Sequence, residues 1–306
     1  MKKLLIALIL LLLPLSDFSQ SLPAARPRIL GIDHVSFYTT APDGVRKLYA
    51  GVLGLTADDP IESGGIARYK IGAQWVGFRA APDPKATDRM DHIAFTTDDI
   101  AAMRRYLTTK GIKASEIIER LDSSRAFAVY DPEGHTIEFV ERGKGPVLRD
   151  VWTDRGPPWV SRHMIHAGFV VYRKDAEDRF YRDMLGFRLY WHGADKTGTP
   201  DDWVAIQVPD GTDWLEYMLN QPDHMDLQLT GVMNHISLGV ADMKKAEATM
   251  ESRGWKPHGD EQAEIGRDGK WQLDVFDPDL SRVELMEFKP VQKPCCNDFT
   301  GPHPSE

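Results

Sequence analysis

The chain has 306 residues, of which 42% are hydrophobic and 27% charged, an ordinary globular composition that excludes a disordered, fibrous or multi-span membrane protein. A net charge of −9 argues against nucleic acid or an anionic membrane surface as the main partner. The only two cysteines are neighbours, Cys295 and Cys296, so no disulfide framework holds the fold.

Lys2 and Lys3 precede an apolar run from Leu4 to Leu15, followed by small residues at Ser19 and Ser21. A run of about 12 residues is too short for a membrane-spanning helix, which needs about 20. The pattern predicts a cleaved export signal over residues 1–21, and therefore a periplasmic or secreted protein with no membrane association after cleavage.

Beyond it, four segments share one grammar. They open Asp33-His34-Val35-Ser36-Phe37, Asp91-His92-Ile93-Ala94-Phe95, Ile165-His166-Ala167-Gly168-Phe169 and Asn234-His235-Ile236-Ser237-Leu238. Each alternates as a strand does, so the apolar residues share one face. The other face carries a His and, two residues on, a small side chain: Ser36, Ala94, Gly168 or Ser237. A helix is predicted after each opening strand. Ile100, Met103 and Leu107 precede Gly111; Met243, Ala246 and Met250 precede Gly254. Both sets have helical spacing and a terminal glycine. The odd-numbered units instead end their helices in Tyr49-Ala50-Gly51-Val52-Leu53-Gly54 and Tyr181-Arg182-Asp183-Met184-Leu185-Gly186. Short strands follow, with Asp131-Pro132-Glu133-Gly134 and Asp277-Pro278-Asp279-Leu280 as turns before the last strands of the even units.

The expected architecture is α+β: four βαβββ units at roughly 28–80, 89–142, 162–220 and 232–289, pairing into two incomplete barrels. A linker over 143–161 divides a first domain, 28–142, from a second, 162–289, and residues 290–306 form an extended tail. Units one with four and two with three is the other pairing open to the sequence, but connection lengths favour sequential pairing.

The last strands hold a second polar position: Glu138, Glu216 and Glu284, with Gly77 in its place in unit one. A carboxylate flanked by apolar residues must be paired, hydrogen-bonded or bound to metal. His and Glu together are ligands that Zn, Ni, Fe(II) and Mn accept. Strand openings, helix endings and hairpins together resemble the vicinal oxygen chelate superfamily, which includes glyoxalase I, extradiol dioxygenases and bleomycin resistance proteins. The resemblance spans nearly all of residues 28–289. It implies one divalent ion (Ni, Zn, Fe or Mn) held by His166, Glu216, His235 and Glu284, a set like that of bacterial glyoxalase I. His34, His92 and Glu138 form a second candidate site. In the ring-cleaving members the metal sits in the later pair of units.

Three functions follow. The leading one is an exported metal-dependent lyase or isomerase resembling glyoxalase I, acting on a small molecule with vicinal oxygens, with Glu216 or Glu284 moving the proton as catalytic base. The alternatives are an Fe(II) extradiol-type dioxygenase and a non-catalytic binding protein. Several features outside these ligands also carry expectations. His163 is expected at a strand entrance and His135 in an exposed hairpin turn. Some of Trp152, Trp159, Trp191, Trp203, Trp214 and Trp271 are candidates to line an apolar pocket, under a polar loop at Gly193 to Asp202. The adjacent cysteines are open to a vicinal disulfide, a bond between chains, or none.

Overall fold

A computed structural model describes residues 25–143, 159–257 and 262–306. The expected export signal and most of the expected linker lie outside the described residues. Within them the chain forms two eight-stranded sheets, each built from two successive βαβββ units. The first contains β1 (Ile29–Thr39), β2 (Thr56–Asp58), β3 (Gly65–Ile71) and β4 (Gln74–Ala80), then β5 (Met90–Thr97), β6 (Ile118–Glu119), β7 (Arg125–Tyr130) and β8 (Thr136–Glu141), in the order β2-β3-β4-β1-β5-β8-β7-β6. The second repeats this with β9 (His163–Val170), β10 (Arg188–Gly193), β11 (Trp203–Gln207), β12 (Trp214–Met218), β13 (His235–Val240), β14 (Glu264–Ile265), β15 (Trp271–Phe276) and β16 (Arg282–Glu287), in the order β10-β11-β12-β9-β13-β16-β15-β14. Units one and two share a sheet, as do units three and four.

The opening strands pair antiparallel at the centre of each sheet, and each lies parallel to the last strand of its own unit. That topology brings the polar positions together. His34 is in register with Trp75, Ser36 with His92, and Ala94 with Glu138. In the second sheet His235 and Glu216 both oppose Gly168, and Glu284 opposes Ser237. Since alternate residues share a face, the intervening Val35, Phe37, Ile93, Phe95, Ala167, Phe169, Ile236 and Leu238 are all buried on the other side.

Helices cover that apolar side. In α1 (Pro42–Arg46) and α3 (Lys174–Glu177) a short α-turn runs into a wider π-helical stretch, Lys47–Val52 and Asp178–Met184 respectively. This widening was not visible in the periodicity. Gly54 and Gly186 close both stretches with positive φ, +69° and +80°. In α2 (Ile100–Thr109), Asp99 caps the N-terminus by accepting from the Ala102 amide, and Ile100, Met103 and Leu107 are buried as their spacing predicts. The short α4 (Leu227–Met233), just before β13, had no sequence signal. In α5 (Met243–Ser252), Asp242 is the cap and Met243, Ala246 and Met250 face inward.

The two halves share one apolar core, with Phe95 edge-on to Phe187 at 5.3 Å between ring centres. Polar clasps flank it. The Asp279 carboxylate, in the last turn of unit four, accepts from the Thr39 and Thr40 hydroxyls at the end of β1. Glu133 in the corresponding turn of unit two accepts from the Tyr172 amide after β9. His135 differs from its expected exposed position: it bonds Asp131 at 2.7 Å and rests edge-on against Phe169 of the other half. The C-terminal segment also departs from expectation. Instead of extending away it folds back over the second sheet, where the Asn297 and Pro302 carbonyls accept from Trp191 and Gln207 and Tyr190 meets His303. Cys295 and Cys296 form a vicinal disulfide. No helix among the described residues is long and apolar enough to cross a membrane.

Candidate metal centres

In the second barrel, His166 and His235 point their Nε2 atoms at one another, 3.1 Å apart. Gly168 is what permits this: a Cβ there would stand 2.0 Å from the His235 ring. Glu216 Oε2 lies 3.6 Å from His166 Nε2 and 3.5 Å from His235 Nε2, so these three residues form one mutually close donor set. Glu284 Oε2 is 3.2 Å from His166 Nε2 but stands outside that set, so the expected four-ligand arrangement is only partly drawn together. The His235 Nδ1–H donates to the Met233 carbonyl, leaving its Nε2 lone pair free to accept. Arg282, missed by sequence reasoning, donates toward that nitrogen at 3.0 Å. Burial and the Arg282 charge both lower the His235 pKa, and burial with the neighbouring cations lowers that of His166 further. Burial raises Glu284 well above the usual carboxylate range, helped by Asp274 and Glu216 against the opposing Arg282 charge. Two neutral imidazoles and a buried carboxylate whose Oε2 lacks a hydrogen-bond partner are chemically suited to a divalent ion.

These groups open on a cavity of about 330 Å³. Glu216, Arg282 and Glu284 form part of its lining, with Trp191, Trp203, Trp214 and Tyr190 on the walls and Phe299 brought in by the C-terminal segment. Three of the six candidate tryptophans therefore line the cavity, Trp159 and Trp271 pack against the main core, and Trp152 lies outside the described residues. Asp195, from the polar loop, also lines the cavity. Lys270, a fully buried lysine, places Nζ 4.5 Å from the Trp214 ring centre and 3.6 Å from Asp268. Burial lowers its pKa, against the opposing pull of Asp268 and Glu284. His163 starts β9, as expected, where it pairs with Asp213.

The first barrel is more complete than its sequence suggested. His34, His92 and Glu138 come together as the strand positions predict, and Glu62, on the loop between β2 and β3, supplies a fourth donor. Counting three ligands there because Gly77 replaces the carboxylate is thus corrected. A side chain at Gly77 would crowd Ser36 Oγ at 2.7 Å, and that hydroxyl instead donates to Glu62 at 3.0 Å. A loop residue outside any strand pattern leaves no signal in the periodicity. One signal was available: Asp precedes both His34 and His92 but neither His166 nor His235. Those aspartates accept from the Nδ1 atoms, Asp33 at 2.8 Å and Asp91 at 3.0 Å. Burial opposes charge on His92, yet Asp91 and Glu62 outweigh it and hold its pKa up at about 9. Arg120 donates to both Glu62 and Glu138.

No curated protein matches the chain by sequence. Among solved structures it is similar to the 2,3-dioxygenase LapB from Pseudomonas sp. KL28, at 17% identity and TM-score 0.67, over 92% of this chain and 96% of that one. It is also similar to homoprotocatechuate 2,3-dioxygenase from Brevibacterium fuscum in complex with 3,4-dihydroxyphenylacetate, at 17% identity and TM-score 0.64, over 91% and 84% of the two chains. The enzyme of the same name from Arthrobacter globiformis matches at 15% identity and TM-score 0.64, over 89% and 84%. At such identities the likeness establishes the fold. The sequence profile of the Glyoxalase/Bleomycin resistance protein/Dioxygenase superfamily matches residues 31–139 and 164–285, most of the chain. With its repeated βαβββ units and their paired histidines, the chain belongs to that superfamily.

Proposed function

We propose that the chain is a metal-dependent dioxygenase that opens an aromatic ring bearing two neighbouring hydroxyls, in the cavity of the second barrel. The observation that carries this reading is that cavity: aromatic walls of a size for a small ring, with Glu216 in its lining closing on the Nε2 atoms of His166 and His235 behind it. Two His and one carboxylate is the ligand set that leaves positions open for substrate and oxygen on Fe(II). Bound there, iron supplies the redox chemistry that joins dioxygen to the ring. The chain's own groups do the rest. Trp214 and Tyr190, packed on each other at 5.0 Å between ring centres, form one wall that orients the ring, and Lys270 and Arg282 offset the negative charge that develops on the diol. The lyase reading, with its likeness to glyoxalase I, needs all four second-barrel residues around one ion. It is less well supported, because Glu284 stands outside the mutually close set.

The test is an oxygen electrode with the iron-loaded protein and a series of ortho-diols. One O2 should be consumed per diol lost, and His235→Ala should lower the rate at least ~10³-fold, the scale of removing a group essential to the transition state. Conversion of a substrate without oxygen uptake would contradict the reading.

Export is a separate proposal, supported by the Lys2-Lys3 start, the apolar run and the vicinal disulfide, a bond at home in oxidising compartments. Mass spectrometry of the extracytoplasmic fraction should find an N-terminus between Gln20 and Arg26. Intact Met1 confined to the cytosolic fraction would contradict it.

A further inference from the structure

The first barrel holds a donor set that the proposed reaction leaves unused, and its geometry makes a demand of its own. Asp33 Oδ1 and Asp91 Oδ2 lie at hydrogen-bond distance from the Nδ1 atoms of His34 and His92. A carboxylate only accepts, so both Nδ1 atoms carry the ring proton. The Nε2 atoms of the two rings face each other at 2.9 Å.

Two carboxylate oxygens close on the same point. Glu62 Oε1 lies 3.4 Å from the Nε2 of His34 and 3.2 Å from that of His92. Glu138 Oε2 lies 3.5 Å and 3.8 Å from the same two atoms. Two ring nitrogens and two carboxylate oxygens therefore converge on one point, as the ligands of a bound cation do. A tetrahedral ion with bonds of about 2.1 Å has ligands about 3.4 Å apart, and the donor spacings here run from 2.9 Å to 3.8 Å.

Arg120 does not fill that role. Its Nη2 reaches Glu62 and Glu138, but its Nε and Nη1 are buried without a hydrogen-bond partner, so the cage is not a fitted guanidinium socket.

We propose that His34, Glu62, His92 and Glu138 bind a divalent cation of their own, with Asp33 and Asp91 as the positioning residues that orient the two rings. This goes beyond the proposed reaction and does not depend on it. Two nitrogen and two oxygen donors in a compact tetrahedron suit Zn(II) or Co(II) better than Ca(II) or Mg(II), which take more oxygen ligands. The second barrel lacks these features: His166 Nδ1 has no partner, and Arg282 donates at the nitrogen an ion would need. The first barrel should therefore be the tighter of the two sites.

The test is metal content of the full-length chain, stripped with a chelator and dialysed against Zn(II), with Co(II) absorption as a second readout. Two ions per chain are expected. Glu62→Gln and His92→Ala should each reduce this to one, His235→Ala should remove the other, and His92→Ala with His235→Ala should leave none. Asp91→Asn should weaken the first-barrel ion about 10–100-fold, the usual effect of losing such a partner. Circular dichroism checks that every variant keeps its fold. Unchanged zinc in both Glu62→Gln and His92→Ala would overturn the inference, as would a single ion lost only with His235. A single ion lost with His92 but kept in His235→Ala would uphold it and overturn the proposed reaction instead.

Discussion

Gly168→Ala is expected to cost the second barrel its ion while sparing the first. The added Cβ would meet His235 Cε1 at 2.0 Å, Nδ1 at 2.4 Å and Nε2 at 2.8 Å, so the whole ring must move. It has little room to do so, since His235 is fully buried and its Nδ1–H is tied to the Met233 carbonyl. Gly168 lies in β9 between β12 and β13, so its backbone is fixed by ladders on both sides. Overpacking of this kind costs about 1–3 kcal/mol of stability. Displacing one imidazole should lower affinity for an ion at His166 and His235 at least ~10-fold, with loss of any diol-dependent oxygen uptake. Zinc titration and urea denaturation measure both effects. A variant that keeps full affinity at the second barrel would show that His235 Nε2 is not a ligand.

The second large effect lies at the junction of the halves. Glu177 is a fully buried carboxyl whose pKa is raised to about 8, first by burial and then by the charges of Asp131 and Glu133, against the opposing pull of His135. An unfolded Glu titrates near 4.5. Between those values the unfolded chain has released the proton and the folded chain has kept it, so folding becomes less favourable as pH rises from about 4.5 to about 8. Above that the penalty is constant, and below 4.5 it is absent. Glu177→Gln removes the ionisable group with little change of shape. It should stabilise the protein by roughly 2–4 kcal/mol at about pH 8 and leave it almost unchanged at about pH 4. Denaturant midpoints of both proteins at the two pH values give the answer. An equal difference at both would mean that Glu177 is not protonated in the folded state.

How much of this was legible in the chain depends on whether a feature repeats along strands. The His positions, Glu138, Glu216 and Glu284 fall at fixed places in a pattern of period two, and period two decides which face a side chain takes. Gly168 and Ser237 were legible as small neighbours for the same reason. Glu62 was not, because a loop carries its side chain to the site by a path that no periodicity records. Nor were Arg120, Arg282 and Lys270, whose charges suggest solvent exposure, although all three are largely buried. The C-terminal segment looked extended because it is polar and Pro-containing. Its hydrogen bonds run to β10 and β11, more than 90 residues away in sequence, and nothing local announces them. The π-helical stretches of the odd units were hidden too, since the apolar spacing of an α-helix and a slightly wider helix agree over so few turns.

The proposed reaction stands or falls with a catalytic ion held between His166 and His235 in the second barrel. Anomalous diffraction from crystals soaked in Mn(II) would locate that ion without reference to activity. A peak is expected about 2.0–2.2 Å from the Nε2 atoms of both histidines, with the Glu216 carboxylate drawn onto it and the Arg282 guanidinium turned away from His235. A map with no peak there, and Arg282 still donating to His235 Nε2, would contradict it.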